Sequence, residues 1–420
     1  MTAYWPGPWS CEDGGPGRLQ VPRGAPTLSL GPGAALDVAW RTVPAATMAV
    51  TRAPGQLYLL RHTAGDQAIS FVERIDPVTL VELARSPDLA GGPTWPGSLA
   101  AHANGSLYVV FGNHAHRLGP DLTVVASATL PRHRPYNGFV ILPDGHLVTK
   151  DFAGSRPGIP VPAGEREPCE LVVLEPDGLE VVDRCLLAEP SVARLSAHGD
   201  EIFVVGDTSL LRVRWDGRLH PDEHAPVRYR TLAGQTYGWD CVIALGAAWF
   251  LDDGDGSEGY TGTLFGHGLS PAPLHLVRVD LADGDCTMAE VCGRPGGLIA
   301  NPPVIDSERS IAVGYDSGNA VMTAFTIGPD GTLAPRWQRE QHHAGHLILY
   351  PAAGALVTGD YDADRGTDQV VVLDIGTGEE WARADTGSPV QSVLFPAAGF
   401  GNDFYLCTFT TITRVSAVPG

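Results

Sequence analysis

The sequence predicts an all-β chain: a single β-propeller of eight four-stranded blades, with its ring closed by an N-terminal strand. Three observations carry this. Strand-like runs bounded by Gly, Pro and Asp fill the chain, and no long amphipathic helix interrupts them. Gly (51) and Pro (35) make about a fifth of the 420 residues, a turn-rich composition. A unit also recurs every ~49 residues, near the period of known propeller blades. Seven blades is the alternative count.

In chain order, residues 1–26 read as an irregular leader and 27–420 as the propeller. Each unit holds a short strand, a turn that usually ends in Gly, a strong apolar strand and two weaker strands. The turns are TRAPG (51–55), AHANG (101–105), LPDG (142–145), SAHG (196–199), ALG (244–246), YPAAG (350–354) and FPAAG (395–399). In the sixth unit IDSER (305–309) stands in that place. The apolar strands after them read QLYLL, SLYVVF, HLVT, EIFVV, AAWFL, SIAV, ALVT and DFYLC. The last unit, 391–417, has room for only three strands. LDVAWRTV, at about 36–43, supplies the fourth and removes an exposed sheet edge.

Residues 371–381 read VVLDIGTGEEW. Asp374, Thr377, Gly378 and Trp381 resemble the D-x-x-T-G…W repeat of the quinoprotein (PQQ-like) propeller superfamily, with one residue fewer before the Trp. IDPVTLVEL (75–83) is a fainter echo. The resemblance implies a tight Asp–Thr–Gly turn and a Trp docked between blades. It covers about one blade, implies the fold, and brings no cofactor-binding residue of that family.

Lys plus Arg total 28 against 48 Asp plus Glu, a net charge of −20. Such a surface repels phosphate backbones and anionic lipid, so nucleic acid and membrane are not expected partners. No apolar run approaches the ~20 residues of a membrane span, and Met1–Trp9 lacks the pattern of a signal peptide. The seven cysteines are irregularly spaced with no CxxC, which fits reduced thiols in a cytoplasmic protein. In an exported protein, Cys169 with Cys185 or Cys286 with Cys292 would be the pairs.

The repeat register sorts candidate site residues. In a propeller, innermost-strand starts and second-strand ends share the rim of the central funnel. The innermost starts bring Thr47, Asn137, Ser191, Asn301, His346 and Gln391 to that rim. The second-strand ends bring His62, His114, Lys150, Asp151, Asp207, Asp252, Asp253, Asp316 and Asp360. Lys150 is the single lysine; the other 27 basic residues are Arg. A lysine at a carboxylate-lined mouth suits acid–base or Schiff-base chemistry. Lys150, Asp151 and His346 are therefore the expected catalytic groups. Asp240, in YGWDCV, either pairs with Arg194 or joins them. Tyr136, Asn137, Asn301, His62, His114, Trp239 and Gln391 are the expected substrate contacts. Asp252, Asp253, Asp316, Asp360 and Asp362 are the expected ligands of Ca²⁺ or another divalent ion. DYDADRGTD has the alternating-Asp spacing of hard-ion loops, and DDGDGSEG is a second acidic loop. Apart from such an ion no cofactor is expected.

The expected function is a small-molecule enzyme using acid–base chemistry at the funnel, of hydrolase (ester or lactone) or lyase/hydratase type. A non-catalytic binding scaffold with an aromatic rim (Trp95, Tyr136, Trp239, Tyr315) is one alternative. A redox enzyme with metal or quinone is the other. The long insertions 153–168 and 254–274 leave second strands on the funnel face and read as lids.

Overall fold

Every turn named above joins the two inner strands of one blade. The computed structural model describes residues 3–24, 28, 30–156, 158–222 and 226–418. Residues 1–2 and 25–26 of the expected leader, and Pro157 of the first insertion, lie outside the described residues. Eight antiparallel blades follow one another. Their innermost strands are Ala46–Thr51, Ser98–Ala101, Tyr136–Ile141, Ser196–His198, Val242–Ala244, Val304–Asp306, Ile348–Tyr350 and Pro396–Ala398. Six of the seven turn glycines have positive φ, and in the sixth unit Ser310 (φ 54) takes that conformation.

Each apolar run is the second strand of its blade, from Leu57–His62 in blade 1 to Asp403–Cys407 in blade 8. These strands are buried along most of their length. Outer strands such as Val181–Leu186 alternate between exposed and half-buried positions, as a one-faced strand should. Blades 1 and 4 each add a short fifth strand, Leu89–Gly92 and Val227–Arg228.

The closing strand is Ala35–Thr42, one residue earlier than expected, and it pairs antiparallel with Thr411–Val418. Arg41 of this strand reaches the buried Glu73 of blade 1 (2.8 Å), and Arg61 pairs with the same carboxylate. The seam between first and last blades is thus held by a ladder and a buried charge pair. The Asp374 turn forms as its motif implies: Asp374 Oδ1 accepts from Gly376 N (2.7 Å) and Thr377 N (3.0 Å). Trp337 of blade 6 docks on this turn through Nε1–H to Ile375 O (2.9 Å). All seven cysteines are unpaired thiols. Among the described residues no helix is long and apolar enough to cross a membrane.

The leader has a definite place. It lines the channel end opposite the funnel mouth, against the innermost strands. Trp9 bridges Thr51 and Tyr4 bridges His102. Ser10 O, Pro16 O, Gly17 O and Gln20 O accept from Ala101 N, Ala197 N, Ile243 N and Leu349 N, at 2.7, 2.7, 2.9 and 2.8 Å. Gln20 Nε2 donates to Pro303 O (2.7 Å). Backbone edges that would otherwise face an open channel are thereby paired.

Between these contacts the segment Glu12–Gly14 enters the channel centre, fully buried. Arg18 pairs with Glu12 and with Asp13 (2.8 Å), and stands 3.7 Å from Asp240. Arg194 reaches Glu12 (3.1 Å), and His346 Nδ1 meets Asp13 Oδ1 (2.7 Å). Burial pushes the Asp13 carboxyl up, but His346 and Arg18 outweigh it and hold the group below its usual range. Asp13, Arg18 and Gln20 all have positive φ (53, 54 and 57), a strain that only surrounding contacts maintain.

Removing Arg18 takes a shared cation from three buried carboxylates, leaving Arg194 and His346 as the remaining partners. An Arg18→Met variant should lose about 3–5 kcal/mol of stability, read as a shift of the urea midpoint with an unchanged m-value.

Candidate functional site

The funnel mouth leads to a roofed cavity of about 170 Å³. Its floor and walls come from innermost-strand starts: Arg194 (blade 4), Trp239 (blade 5), Asn301 (blade 6), and Val393 and Leu394 (blade 8). His62 and the loop Thr94–Pro96 close one side. Ser257, Glu258, Tyr260 and Leu264 form the roof.

The roof belongs to the insertion 254–274. It leaves blade 5 and is fastened to Gln391 of blade 8. Tyr260 Oη donates to Gln391 O (2.6 Å), Gln391 N to Gly262 O (2.8 Å) and Leu264 N to Gln391 Oε1 (2.8 Å). Gly266 N donates to Gly318 O of blade 6 (2.9 Å). Gln391, expected as a substrate contact, is the lid's anchor. The insertion 153–168 lies on the same face: Arg156 crosses to Asp66 of blade 1 (2.9 Å), and Arg166 lies over the Tyr237 ring (4.2 Å). Both expected lids therefore flank the mouth.

Trp95, Trp239, Tyr260 and Phe409 bring four aromatic rings to the cavity wall. Trp95 stacks on Phe152 (4.3 Å, 18°) and lies 6.4 Å from the Trp239 ring. Tyr260 meets Phe409 at 5.9 Å. His62 stacks on Phe111 at 4.7 Å. Its Nδ1 faces Thr63 O (2.8 Å), an acceptor only, so Nδ1 carries the proton and Nε2 keeps its lone pair. That Nε2 is buried without a hydrogen-bond partner. Burial lowers the His62 pKa from its ordinary value, which favours the neutral ring.

The other expected residues divide between wall, framework and blade interiors. Asn301 and Trp239 line the cavity as expected, and Asn301 Nδ2 ties Ala344 O to the wall. Asn137 donates to Val192 O (2.9 Å) and accepts Arg194 Nε on its own carbonyl. Tyr136 and His114 are away from the cavity: Tyr136 Oη accepts from Arg132 N (3.3 Å), and His114 Nδ1 meets Gly91 O (2.8 Å).

Lys150 and Asp151, expected as catalytic groups, are not at the funnel. Lys150 is fully buried between blades 3 and 4, with Nζ donating to Asp151 O (3.1 Å) and Ser191 O (3.3 Å). Cys169 Sγ shares that Ser191 carbonyl (3.3 Å). Burial pulls the Lys150 pKa down. Asp151 clamps Arg132 and Arg134 (3.1 Å each) and receives Glu170 N, which staples the 132–134 loop. A strand alternates faces, so a strand-end residue can point between blades as readily as toward the axis. His346 and Asp240 do reach the axis, but below the cavity, within the leader's charge network. Asp240 Oδ1 accepts Arg194 N (2.6 Å), so the expected Asp240–Arg194 pairing forms through the backbone.

The five expected metal ligands do not form one donor set. Asp252 is held by His275 (3.0 Å) and Gln235 (2.7 Å); Asp316 by Asn319 (2.8 Å) and Cys292 (3.2 Å). Asp360 pairs with Arg383 and Asp362 with Arg365, each at 2.7 Å. Only Asp253 Oδ2 has no partner. A Ca²⁺ cage needs six to eight converging oxygens, which this arrangement does not offer. Among the described residues one cluster has ligand spacing, Asp13–Asp240–His346, and Arg18 already brings a cation to it.

No protein family and no curated protein matches the chain. Known structures share its architecture. A quinohemoprotein alcohol dehydrogenase from Pseudomonas putida HK5 aligns with a TM-score of 0.63 at 9% identity, covering 98% of this chain and 80% of that one. The enzyme of that name from Comamonas testosteroni gives 0.60 at 11%, with the same coverage of 98% and 80%. BamB from Moraxella catarrhalis gives 0.54 at 11%, covering 90% of this chain and 100% of that one. The fold is an eight-bladed β-propeller. At such identities the likeness is one of fold alone. An anionic quinone would not fit this cavity: it would meet the carboxylate of Glu258 and a single guanidinium, Arg194, already matched by Glu12.

Asp253 supplies a test of the acidic loop. Burial, and then the neighbouring Asp252, push its pKa up to about 7. The folded state thus holds this proton more tightly than the unfolded chain, so its stabilising contribution is lost as pH rises from about 4 to 7. Asp253→Asn should remove that part of the decline, giving a smaller fall in melting temperature over this window than the parent shows. Lys150→Met should leave stability unchanged or raised, measured by urea unfolding at pH 7.

Proposed function

We propose that the chain is a cytoplasmic small-molecule enzyme working by acid–base chemistry in the lidded funnel, with His62 as its general base. The observation that carries this reading is the His62 ring, which lines the cavity, is fixed in one tautomer by Thr63 O, and has a buried Nε2 that no protein group uses. A substrate C–H or water placed against Nε2 would lose its proton there. Elimination, hydration, and ester or lactone hydrolysis are the reactions such a group serves. The roof limits water around the reacting atoms, and the buried network beneath fixes the floor. The seven unpaired thiols favour a reducing compartment.

A second reading, a binding scaffold without turnover, is supported by the Trp95–Trp239 pair, since such rings bind flat or apolar groups without chemistry.

The test is untargeted mass spectrometry of a metabolite extract incubated with the protein and with His62→Gln. The enzyme reading expects the parent to deplete a compound and the variant to be at least ~100-fold slower while still binding it. Binding without depletion by the parent leaves the scaffold. The neutral ring is the active form and burial lowers its pKa, so kcat/KM should stay flat around pH 7 and fall as the solution is made acidic.

A further inference from the structure

We infer that the lidded cavity takes a small organic cation, an amine or quaternary ammonium carried on an apolar body. This rests on the reading of the funnel as a small-molecule site and names its ligand class. Two observations carry it. First, Trp95, Trp239 and Tyr260 surround the cavity, and the negative faces of such rings attract organic cations. Second, Glu258 lines the same space from the roof and makes no hydrogen bond or ion pair among the described residues. This carboxylate is half-buried at the edge of the aromatic wall and is paired with no side chain, so it is open to a bound cation.

Among the described residues Arg194 is the one cation of the wall, and it does not play that part. Its guanidinium is held by Glu12 (3.1 Å), Pro96 O (2.9 Å) and Asn137 O, and lies over Phe395 at 4.4 Å. Its charge is matched from the floor, and Glu258 is left as the unmatched charge of the cavity. The net charge of −20 adds a long-range pull of the same sign. A carboxylate ligand would face Glu258 and an aromatic wall; a neutral one would leave Glu258 unpaired.

Titration calorimetry with three probes of one shape tests this: choline, the uncharged 3,3-dimethylbutan-1-ol, and the anion 3,3-dimethylbutanoate. Choline should bind at least tenfold more tightly than either of the others. Glu258→Gln should weaken choline about tenfold and leave the alcohol unchanged, with an unaltered melting temperature. Tyr260→Leu should weaken choline more than the alcohol. Equal or tighter binding of the alcohol or the anion, no measurable binding of choline, or a Glu258→Gln variant that keeps full affinity would overturn the inference. If cation preference is absent while His62-dependent turnover persists, the ligand class is wrong and the enzyme reading stands. Cation preference without turnover makes the protein an organic-cation binder.

Discussion

Eight innermost strands arranged in a ring leave a channel lined by backbone edges, and this protein closes one end of it with its own leader. Glu12 and Asp13 can sit at the channel centre only because Arg18, nearby in sequence, comes with them. Arg18 in turn lies beside Asp240, while Arg194 and His346 complete the set from blades 4 and 7. Each charge would be costly to bury alone, and the network is tolerable only as a whole. The strained backbone at Asp13, Arg18 and Gln20 persists for the same reason.

This network determines where a ligand can go. One channel end is filled, so the open volume lies at the other, under the insertion fastened to Gln391. Arg194 belongs to both halves. Its side chain holds Glu12 below and two carbonyls at the side, while its surface forms part of the cavity wall. The floor is rigid and polar, and the wall above it is aromatic. Such a division suits a site that grips an apolar body and presents a few polar groups to its reacting end.

The recurrent Asp residues have a more local purpose. Asp252 ties its second strand to His275 of the third strand; Asp316 holds Leu298 N and Asn319; Asp374 and Asp76 close tight turns. Each satisfies backbone donors where a strand ends, the commonest work of Asp at such positions. Lys150 likewise serves the framework, buried between blades with its Nζ donating to carbonyls there.

Sequence alone determined the architecture. Strand, Gly turn and apolar strand are local patterns, and their period counts the blades without any knowledge of contacts. The closing strand was legible too, because a unit short of one strand demands its partner. The positions of Asn301, Trp239, His62 and both insertions at the mouth followed from the same register. What lies toward the axis did not follow. The run Cys11-Glu12-Asp13-Gly14-Gly15, with Arg18 beyond it, carries two carboxylates that periodicity cannot assign, because their partners from the blades lie 86 to 333 residues away. The choice of His62 over Lys150 was equally a tertiary matter. Both end second strands, but Lys150 points between blades and His62 toward the cavity. Strand twist and the packing of neighbouring blades decide which way each side chain turns.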